Sequence, residues 1–334
     1  MIRFLRFPLI LFLVFEMYEK KTEIINLNVG DSVDDIFVVK FKKPLDKYSG
    51  GWRFELRLGD KTGEINAKFW GPEEKDVVED IYNSFSKDDV VLVKGKVSKY
   101  KNSKEITIYE IKLVKKGEYK EDSFLGMSKR SIDDMYGELL EKINSIEDDD
   151  IRRLLENIFV NDDEIREAFK KSPAAIFKHH NYIGGLLEHT LEVVKILETY
   201  IEIHKELDRD ITIAGGLLHD IGKIKSFHLS NNISITKYER MEGHITMGVS
   251  IVTKKMDEMN FPEEKRLKLI HIILSHHRQN EFGSPKTPMF PEALAVYFAD
   301  LADSQLKNMI SFKQNARTED DFIYSRDFGN IYLI

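Results

Sequence analysis

The feature that most constrains this chain is the placement of its histidines. All ten lie between His179 and His277, and no histidine occurs elsewhere in the 334 residues. The same window contains the dipeptide His219-Asp220 and the adjacent pair His276-His277. Imidazole is the commonest side-chain ligand for metals such as zinc, copper and iron. A single histidine is more often structural, but the clustering of the whole set predicts a metal site inside a helical domain.

Composition limits how such a site is built. The chain has no cysteine, which excludes disulfides and thiolate ligands, so nitrogen and oxygen atoms must hold any metal. The same absence fits a reducing cytoplasm. Charged residues make up 32% of the chain and hydrophobic residues 42%, as in soluble globular proteins, and 334 residues are enough for two domains with separate cores.

The first residues carry a short apolar segment. Arg3 and Arg6 precede the apolar run 7–15, which is too short to span a bilayer and has no small-residue cleavage site after it. Residues 1–24 are therefore predicted to be a leader, either disordered or the result of a start codon assigned too early, with Met17 as the true first residue. A membrane anchor is the less favoured alternative, and no stable membrane association is expected.

Residues 25–118 alternate apolar and polar side chains in the manner of β-strands. Strands are predicted at 36–41, 52–58, 64–70, 90–97 and 105–114, with a helix over about 72–85. Five strands with a helix between the third and the fourth is the order of an OB-fold. This segment is therefore predicted to be a five-stranded OB-fold β-barrel.

The same segment carries local positive charge, although the net charge of the chain is −7. Residues 87–118 contain nine lysines and five acidic residues, which either bind phosphates or form an ordinary solvated face. Aromatic side chains beside cations can stack single-stranded bases. The candidate nucleic-acid contacts here are Trp52, Arg53, Arg57, Trp70, Lys96, Tyr100 and Tyr109. Trp52 shares a strand face with Phe54 and Leu56, so a core position is the stronger alternative for it.

The rest of the chain is predicted to be an all-α helical bundle. Residues 119–131 form a polar linker, and apolar residues recur at helical spacing over 132–312. The predicted breaks between helices are Lys171–Pro173, Gly222, Asn231-Asn232 and Gly283–Pro291. Residues 313–334 are left as a C-terminal tail.

Seven histidine and aspartate residues are distributed over five of these helices. They are His189 early in a long helix, His219 and Asp220 at the end of an apolar helix, His244 at the start of another, His276 and His277 at the end of a fourth, and Asp300 within a fifth. Asp300 lies in an otherwise apolar stretch, where a carboxylate is costly unless it is paired or ligated. Five helices could deliver these side chains into one bundle core.

This order resembles that of the HD-domain phosphohydrolases, and specifically the members that carry two metals. The resemblance implies a first metal held by His189, His219, Asp220 and Asp300, and a second held by Asp220, His244, His276 and His277. Such a pair of ions, roughly 3.5–4 Å apart, deprotonates a water between them for in-line attack at phosphorus. The predicted cofactors are two divalent ions, Mn²⁺ first and Fe²⁺, Co²⁺, Ni²⁺ or Zn²⁺ as alternatives, because imidazole suits these metals better than Ca²⁺ or Mg²⁺.

Smaller motifs resemble one group within that class, the YhaM-type 3′→5′ exoribonucleases. The motifs are Ser172-Pro173-Ala174-Ala175, His179-His180-Asn181-Tyr182, Gly184-Gly185-Leu186, His189-Thr190 and the run from His276 to Lys286. The stretch 50–70 resembles the OB-fold of the same family, so the resemblance runs from about residue 25 to the C-terminus. It implies an enzyme that trims single-stranded RNA, and often DNA, from the 3′ end. The chain departs from the family in its hydrophobic leader and in the modest charge of its OB strands.

Five further residues have open roles. Lys223 could contact a substrate phosphate or be a solvated lysine at a helix end, and Lys286 is a candidate phosphate contact in its loop. One of His179 and His180 is expected to touch substrate while the other packs, and His180 is favoured because the motif continues from it. Asp303 lies one turn beyond the last predicted ligand, either as a partner for a ligating histidine or as a surface acid.

Together these features predict a cytoplasmic, metal-dependent 3′-5′ exonuclease that binds single-stranded RNA or DNA through its OB-fold. Asp220, Lys223 and His180 are its predicted catalytic residues, and a homo-oligomer is left open. One alternative is an HD phosphohydrolase of small or cyclic nucleotides with a regulatory OB-fold. The other is a non-catalytic single-strand binding protein, which the complete set of seven ligands counts against.

Overall fold

A computed structural model describes residues 17–100, 103–120, 123–176, 180–278, 284–316 and 320–333. The chain divides into two compact units. The described part of Met1–Leu125, with Ser230–Asn232, forms the first unit, and the described part of Gly126–Leu229 and Ile233–Ile334 forms the second. The main division therefore falls inside the predicted linker 119–131.

The first unit is built on a closed ring of five strands. Its elements in chain order are β1 (Ser32–Lys42), β2 (Asp46–Tyr48), β3 (Gly51–Asp60), β4 (Gly63–Trp70), α1 (Lys75–Asn83), β5 (Val90–Tyr100) and β6 (Ser103–Val114). The ring runs β1-β5-β6-β4-β3 and returns to β1, with β4 and β6 parallel and the other pairs antiparallel. A helix between the third and fourth ring strands confirms the predicted OB-fold order. The short strand β2, which pairs with β3, was not predicted.

Apolar side chains at every second position of the strands fill the inside of the ring. Phe54, Leu56 and Leu58 of β3 are buried, whereas Arg53, which precedes them, and Glu55, which lies between Phe54 and Leu56, are only half-buried. Phe54 stacks on Phe69 of β4 with ring centroids 5.0 Å apart. Each fully buried side chain of this size stabilises the fold by roughly 1.5–3 kcal/mol, so the period-2 pattern fixes which face of β3 points inward.

Both ends of the first unit contact β1. Residues 17–24 of the predicted leader are ordered: Asp35 accepts hydrogen bonds from the backbone N–H groups of Lys21 and Thr22, and Lys20 Nζ lies 3.2 Å from an Asp35 oxygen. Residues 1–16 lie outside the described residues. At the other end Tyr119 and Phe124 are buried in edge-to-face contact, so the predicted polar linker is in part a small core.

The second unit is a bundle of helices, as predicted. The helices are α2 (Ile132–Asn144), α3 (Asp149–Phe159), α4 (Asp163–Lys171), α5 (Gly185–Ile203), α6 (Arg209–Leu218), α7 (Lys237–Met241), α8 (His244–Glu258), α9 (Glu263–Ser275) and α10 (Pro291–Asn315), with a 3₁₀ turn at Ile221–Lys225. Side-chain oxygens cap the N-termini of five of them, at Ser131, Asp148, Asp162, Asp208 and Thr236. Each such cap satisfies backbone donors at a helix start and is worth about 1 kcal/mol.

Two short hairpins interrupt the all-α expectation. The predicted break at Asn231-Asn232 is a turn that joins β7 (Phe227–Leu229) to β8 (Ile233–Ile235), so its flanks are short strands and not the helices that were predicted. The predicted tail contains a second hairpin, β9 (Phe322–Ser325) with β10 (Gly329–Tyr332). Among the described residues, none of the helices is both long enough and apolar enough to cross a bilayer.

Candidate metal centre and nucleic-acid surface

The carboxylate of Asp220 is the centre of a buried polar cluster in the second unit. Its Oδ2 lies 3.5 Å from His189 Nε2 and 3.4 Å from His219 Nε2. Its Oδ1 lies 3.5 Å from His276 Nε2 and 3.7 Å from His244 Nε2. Asp220 is only 1% exposed, so these contacts are screened from water. One carboxylate thus presents each of its oxygens to a different pair of imidazoles.

The structure brings all seven predicted ligands together. Ligand atoms of Asp220, His244, His276 and His277 lie within 4.8 Å of one another, and so do those of His189, His219 and Asp220. Asp300 joins the group of His189, His219 and Asp220, because its Oδ1 lies 3.3 Å from His189 Nε2. We refer to these seven residues as the ligand cluster. Asp220 is common to its two groups.

Two of the ligand histidines are oriented by the helix ends on which they lie. His219 and His276 immediately follow the last residues of α6 and α9. Their Nδ1 atoms lie 2.7 Å from the carbonyl oxygen of Gly216 and 2.8 Å from that of Ile273, each three residues earlier. These carbonyls can only accept, so Nδ1 carries the proton and Nε2 keeps its lone pair for the cluster.

A close backbone approach brings Asp220 to His244. Gly222 lies in the 3₁₀ turn that follows Asp220 and packs against the start of α8. A Cβ atom at Gly222 would lie 1.9 Å from the carbonyl oxygen of His244, a distance that no side chain tolerates. The glycine two residues after the His-Asp pair is therefore a packing requirement of the site.

The cluster has the unsatisfied atoms that a metal centre requires. Among the described residues, Asp220 Oδ1 and the Nε2 atoms of His244 and His276 are buried without a hydrogen-bond partner. Leaving such a group unpaired costs about 1–3 kcal/mol, and more for a charged one. Carboxylate oxygens mixed with imidazole nitrogens suit borderline divalent metals. The residues therefore fit divalent ions.

Electrostatics keeps the cluster in a form that can bind cations. Burial, together with the neighbouring His276, lowers the pKa of His277 to about 3, and burial also lowers the pKa of His276. Burial alone would raise the pKa of Asp220, but Lys223 and His219 hold it well below its usual range. His189 is the exception: burial opposes its charge, yet its hydrogen bonds to three carboxylates raise its pKa well above normal, so metal binding must displace a proton from it. Metal binding needs neutral imidazoles and ionised carboxylates.

The other predicted residues of this domain have varied positions. Lys223 Nζ lies 2.6 Å from Asp220 Oδ2 and its side chain is 13% exposed, so it is an ion-paired residue and not a solvated one. His180 is buried and lies behind His189, with 5.5 Å between the ring centroids. Lys286 is exposed on the loop after His277. His179 lies outside the described residues, as do residues 279–283 of the motif that ends at Lys286.

Two acidic residues contact the ligand histidines from outside the cluster. Asp303 is 5% exposed and its Oδ2 lies 2.6 Å from His189 Nδ1, which fits the predicted partner role and excludes the surface alternative. Glu239 Oε1 lies 3.3 Å from His244 Nδ1, and its Oε2 accepts a hydrogen bond from Ser226. Glu239 was missed, because no sequence spacing links the short helix α7 to the start of α8.

The predicted nucleic-acid contacts of the first unit fall mainly on the outer face of β3–β6. Trp70 is 40% exposed, packs edge-on against Tyr48 at 4.8 Å and has the Arg53 guanidinium 5.2 Å from its ring. Tyr100 is 53% exposed, with Lys68 Nζ 4.0 Å from its ring. Trp70 and Tyr100 on this face are therefore each paired with a cation.

The remaining contacts divide between that face and the core. Tyr109 is 65% exposed at a bulge of β6, and Arg57 and Lys96 are exposed. Trp52 instead is half-buried against the core of the first unit, which agrees with the core alternative. Lys68 was missed by the sequence reasoning, although its alternation with Trp70 on β4 could have revealed it.

Comparison with known proteins defines first the class of the chain. Residues 186–304 match the HD domain family, and residues 22–114 match the family described as OB-fold nucleic acid binding domain. The first range contains every residue of the ligand cluster, and the second contains the five ring strands. The chain is thus an OB-fold unit joined to an HD domain, a class that depends on divalent metal.

Relatives along most of the chain then define the family. The 3′-5′ exoribonuclease YhaM of Shouchella clausii is 30% identical over 283 residues, which is 84% of this chain and 86% of that protein. The protein of the same name from Geobacillus sp. is 29% identical over 86% of this chain and 86% of its own length. The one from Bacillus subtilis is 29% identical over 84% of this chain and 87% of its own length. The chain belongs to the YhaM 3′-5′ exoribonuclease family and, by that membership, is a hydrolytic enzyme.

Proposed function

We propose that this protein is a metal-dependent 3′-5′ exonuclease that hydrolyses single-stranded RNA, and also single-stranded DNA, in the cytoplasm. The observation that carries the proposal is the Asp220 carboxylate, whose two oxygens face two separate pairs of imidazoles. Such a shared carboxylate is the expected bridge between two divalent ions. Membership of the YhaM family supports RNA as the substrate and the 3′ end as the starting point.

The ligand cluster would hold two ions, with Mn²⁺ as the preferred metal. His189, His219, Asp220 and Asp300 form the first ligand group, and Asp220, His244, His276 and His277 form the second. When bound, two such ions supply a nucleophile from water at neutral pH and offset the negative charge that develops at the phosphate.

The protein groups around the cluster have their own roles in this reaction. Asp220 and Asp300 keep their negative charge in a buried setting, which favours cations over neutral occupants. Burial alone would lower the pKa of Lys223, but Asp220 and Asp300 raise it above its ordinary value, so Lys223 stays a cation. Its ammonium can therefore contact a phosphate oxygen of the substrate, as a second positive group next to the ions.

The first unit would bind the strand that is cleaved. Exposed aromatic rings, Trp70 beside Arg53 and Tyr100 beside Lys68, offer stacking surfaces, and the two cations are themselves ion-paired with Asp46 and Glu105. Each base that stacks on an aromatic ring contributes about 1–3 kcal/mol, without sequence preference. This accounts for a single-strand binder whose net charge is negative.

Cleavage of a defined RNA tests the proposal. We would strip the full chain of metal, add Mn²⁺, and incubate it with 5′-labelled single-stranded RNA, with the same RNA in circular form, and with single-stranded DNA. We expect a ladder of products shortened from the 3′ end on the linear strands and no cleavage of the circle, which has no end. Cleavage of the circle would contradict the exonuclease.

Matched variants assign the activity to the cluster. Asp220→Ala should abolish the ladder, whereas Glu198→Gln, which removes an ion pair with Lys142 on the same bundle, should retain it. Mononucleotides and cyclic dinucleotides are assayed in parallel. Turnover of these small substrates alone, or RNA binding without turnover in the presence of Mn²⁺, would refute the proposal.

A further inference from the structure

A second buried network lies on the side of His189 that faces away from the ligand cluster. His189 Nε2 faces Asp220 and Asp300, whereas its Nδ1 donates to Asp303 Oδ2 at 2.6 Å. The same Asp303 oxygen lies 3.3 Å from Nε2 of His180. His180 is therefore connected to a predicted metal ligand through one carboxylate.

Both ring nitrogens of His180 are engaged by protein groups. The Tyr182 hydroxyl oxygen lies 2.9 Å from His180 Nδ1 and 3.0 Å from Glu188 Oε2. His180 Nε2 also lies 3.2 Å from Glu192 Oε2. The His180 side chain has no exposed surface. Its position is thus suited to holding a neighbour in place, and it leaves no nitrogen for RNA.

The backbone around His180 is also held in a fixed conformation. His180 has a φ of +55°, a left-handed conformation that costs a residue other than glycine roughly 1–2 kcal/mol. Its carbonyl oxygen accepts a hydrogen bond from the Ala174 N–H at 3.0 Å. A Cβ atom at Gly185 would lie 2.1 Å from that oxygen, so only glycine fits there. Strain of this kind persists only where the surroundings fix it, commonly at functional sites.

We propose that His180 and Asp303 are positioning residues, which fix the ring of His189 for metal binding. A ligating histidine needs its second nitrogen fixed by an acceptor, and that acceptor must itself be held. Asp303 is the acceptor, and His180 holds Asp303. This assigns His180 a different role from the substrate contact that the sequence suggested.

The inference rests on the metal centre of the proposed function, but its readout is metal binding and not cleavage. Metal-free full-length protein is titrated with Mn²⁺ in a calorimeter, without RNA. Asp303→Ala and His180→Asn should each weaken one of the two binding steps by about 10- to 100-fold. Asparagine is chosen at position 180 because it tolerates a positive φ and is too short to reach Asp303. A failure to cleave RNA would refute the proposed function and leave this titration valid.

A double variant tests whether the two residues act in series. If His180 acts through Asp303, then adding His180→Asn to Asp303→Ala should weaken Mn²⁺ binding by less than twofold more. Glu198→Gln, on the same helix as His189 but outside the network, should leave Mn²⁺ binding unchanged. The isosteric Asp303→Asn replaces the alanine variant if that one does not fold.

The opposite pattern would overturn the assignment. A direct substrate contact predicts that His180→Asn keeps Mn²⁺ affinity within twofold of the wild type and raises KM for RNA. Binding of 5′-fluorescein RNA to the metal-free protein, followed by anisotropy, separates the two cases. A positioning role leaves this affinity unchanged, and a substrate contact lowers it.

Discussion

Replacing Asp220 with asparagine is expected to destabilise the metal-free protein as well as to inactivate it. Asp220 Oδ2 lies 2.6 Å from Lys223 Nζ, and the two side chains are 1% and 13% exposed. The asparagine has nearly the same shape but no charge, so it leaves a buried ammonium without its nearest partner. Removing one member of a buried ion pair costs about 3–5 kcal/mol.

Other carboxylates near Lys223 place the expected loss of stability at the lower end of this range. Asp300 and Glu239 also stabilise the charge on Lys223, although less than Asp220 does. We therefore expect the lower end of the range, about 3 kcal/mol. For a folding unit of this size each kcal/mol lowers Tm by about 2–4 °C, which predicts a decrease of about 6–12 °C.

Thermal unfolding of the protein in EDTA, followed by circular dichroism, measures the effect. Adding Lys223→Met to Asp220→Asn should restore most of the lost stability, because it removes the unpaired charge, yet the double variant should neither bind Mn²⁺ nor cleave RNA. Glu198→Gln breaks a partly exposed ion pair and should cost at most about 1 kcal/mol. If metal-free Asp220→Asn melts within about 2 °C of the wild type, or if Lys223→Met restores nothing, the coupling of Lys223 to Asp220 is refuted.

Three further predictions concern packing, metal and RNA. Gly185→Ala should destabilise the protein by about 1–3 kcal/mol in urea unfolding, because its Cβ would lie 2.1 Å from the His180 carbonyl oxygen, whereas Gly137→Ala in α2 meets nothing within 4 Å and should not destabilise it. Equal effects of the two substitutions would contradict the packing argument. Mn²⁺ at 100 times its Kd should stabilise the wild type by about 2.7 kcal/mol per site in the same assay, and an unchanged midpoint would count against a metal centre. Trp70→Ala and Tyr100→Ala should each weaken binding of single-stranded RNA by about 1–3 kcal/mol in anisotropy titrations, whereas Trp52→Phe should have little effect because Trp52 packs against the core. A larger loss for Trp52→Phe than for Trp70→Ala would reverse that assignment.

The ligand cluster could be proposed from the sequence because its residues mark helix ends. His219 follows the apolar helix α6 and His276 follows α9, whose second half is mainly apolar, and an apolar stretch that stops at a histidine is visible without coordinates. The OB-fold strands were equally accessible, since β3 alternates strictly. In both cases the sequence pattern lies within one helix or one strand, so it can be recognised without knowing the tertiary packing.

The groups behind the ligands were harder to find, because no helix or strand periodicity links them to their partners. Asp303 reaches His180 and His189 across more than a hundred residues, and spacing alone left it equally compatible with a surface position. Glu239 reaches His244 because α7 ends at Met241 and the chain bends at Gly243, whose φ is +77°, before α8 begins. The hairpin at Asn231-Asn232 was mistaken for an interhelical turn since strands of three residues are too short to show a period.

The acceptors behind the four central histidines suggest how the two ions can be told apart. His219 and His276 donate to backbone carbonyls, whereas the Nδ1 atoms of His189 and His244 face the carboxylates of Asp303 and Glu239. Each proposed ligand group thus contains one histidine of each kind.

A carboxylate behind an imidazole raises its basicity as a ligand, so Asp303→Asn should weaken one Mn²⁺ binding step and Glu239→Gln the other, each by about 10-fold or more. Because the two acids contact different histidines, their effects should add in the double variant, unlike those of His180 and Asp303. Calorimetric titration of the three variants measures this. Loss of the same binding step in both single variants would mean that the cluster holds one ion, and the proposed bridge at Asp220 would then be wrong.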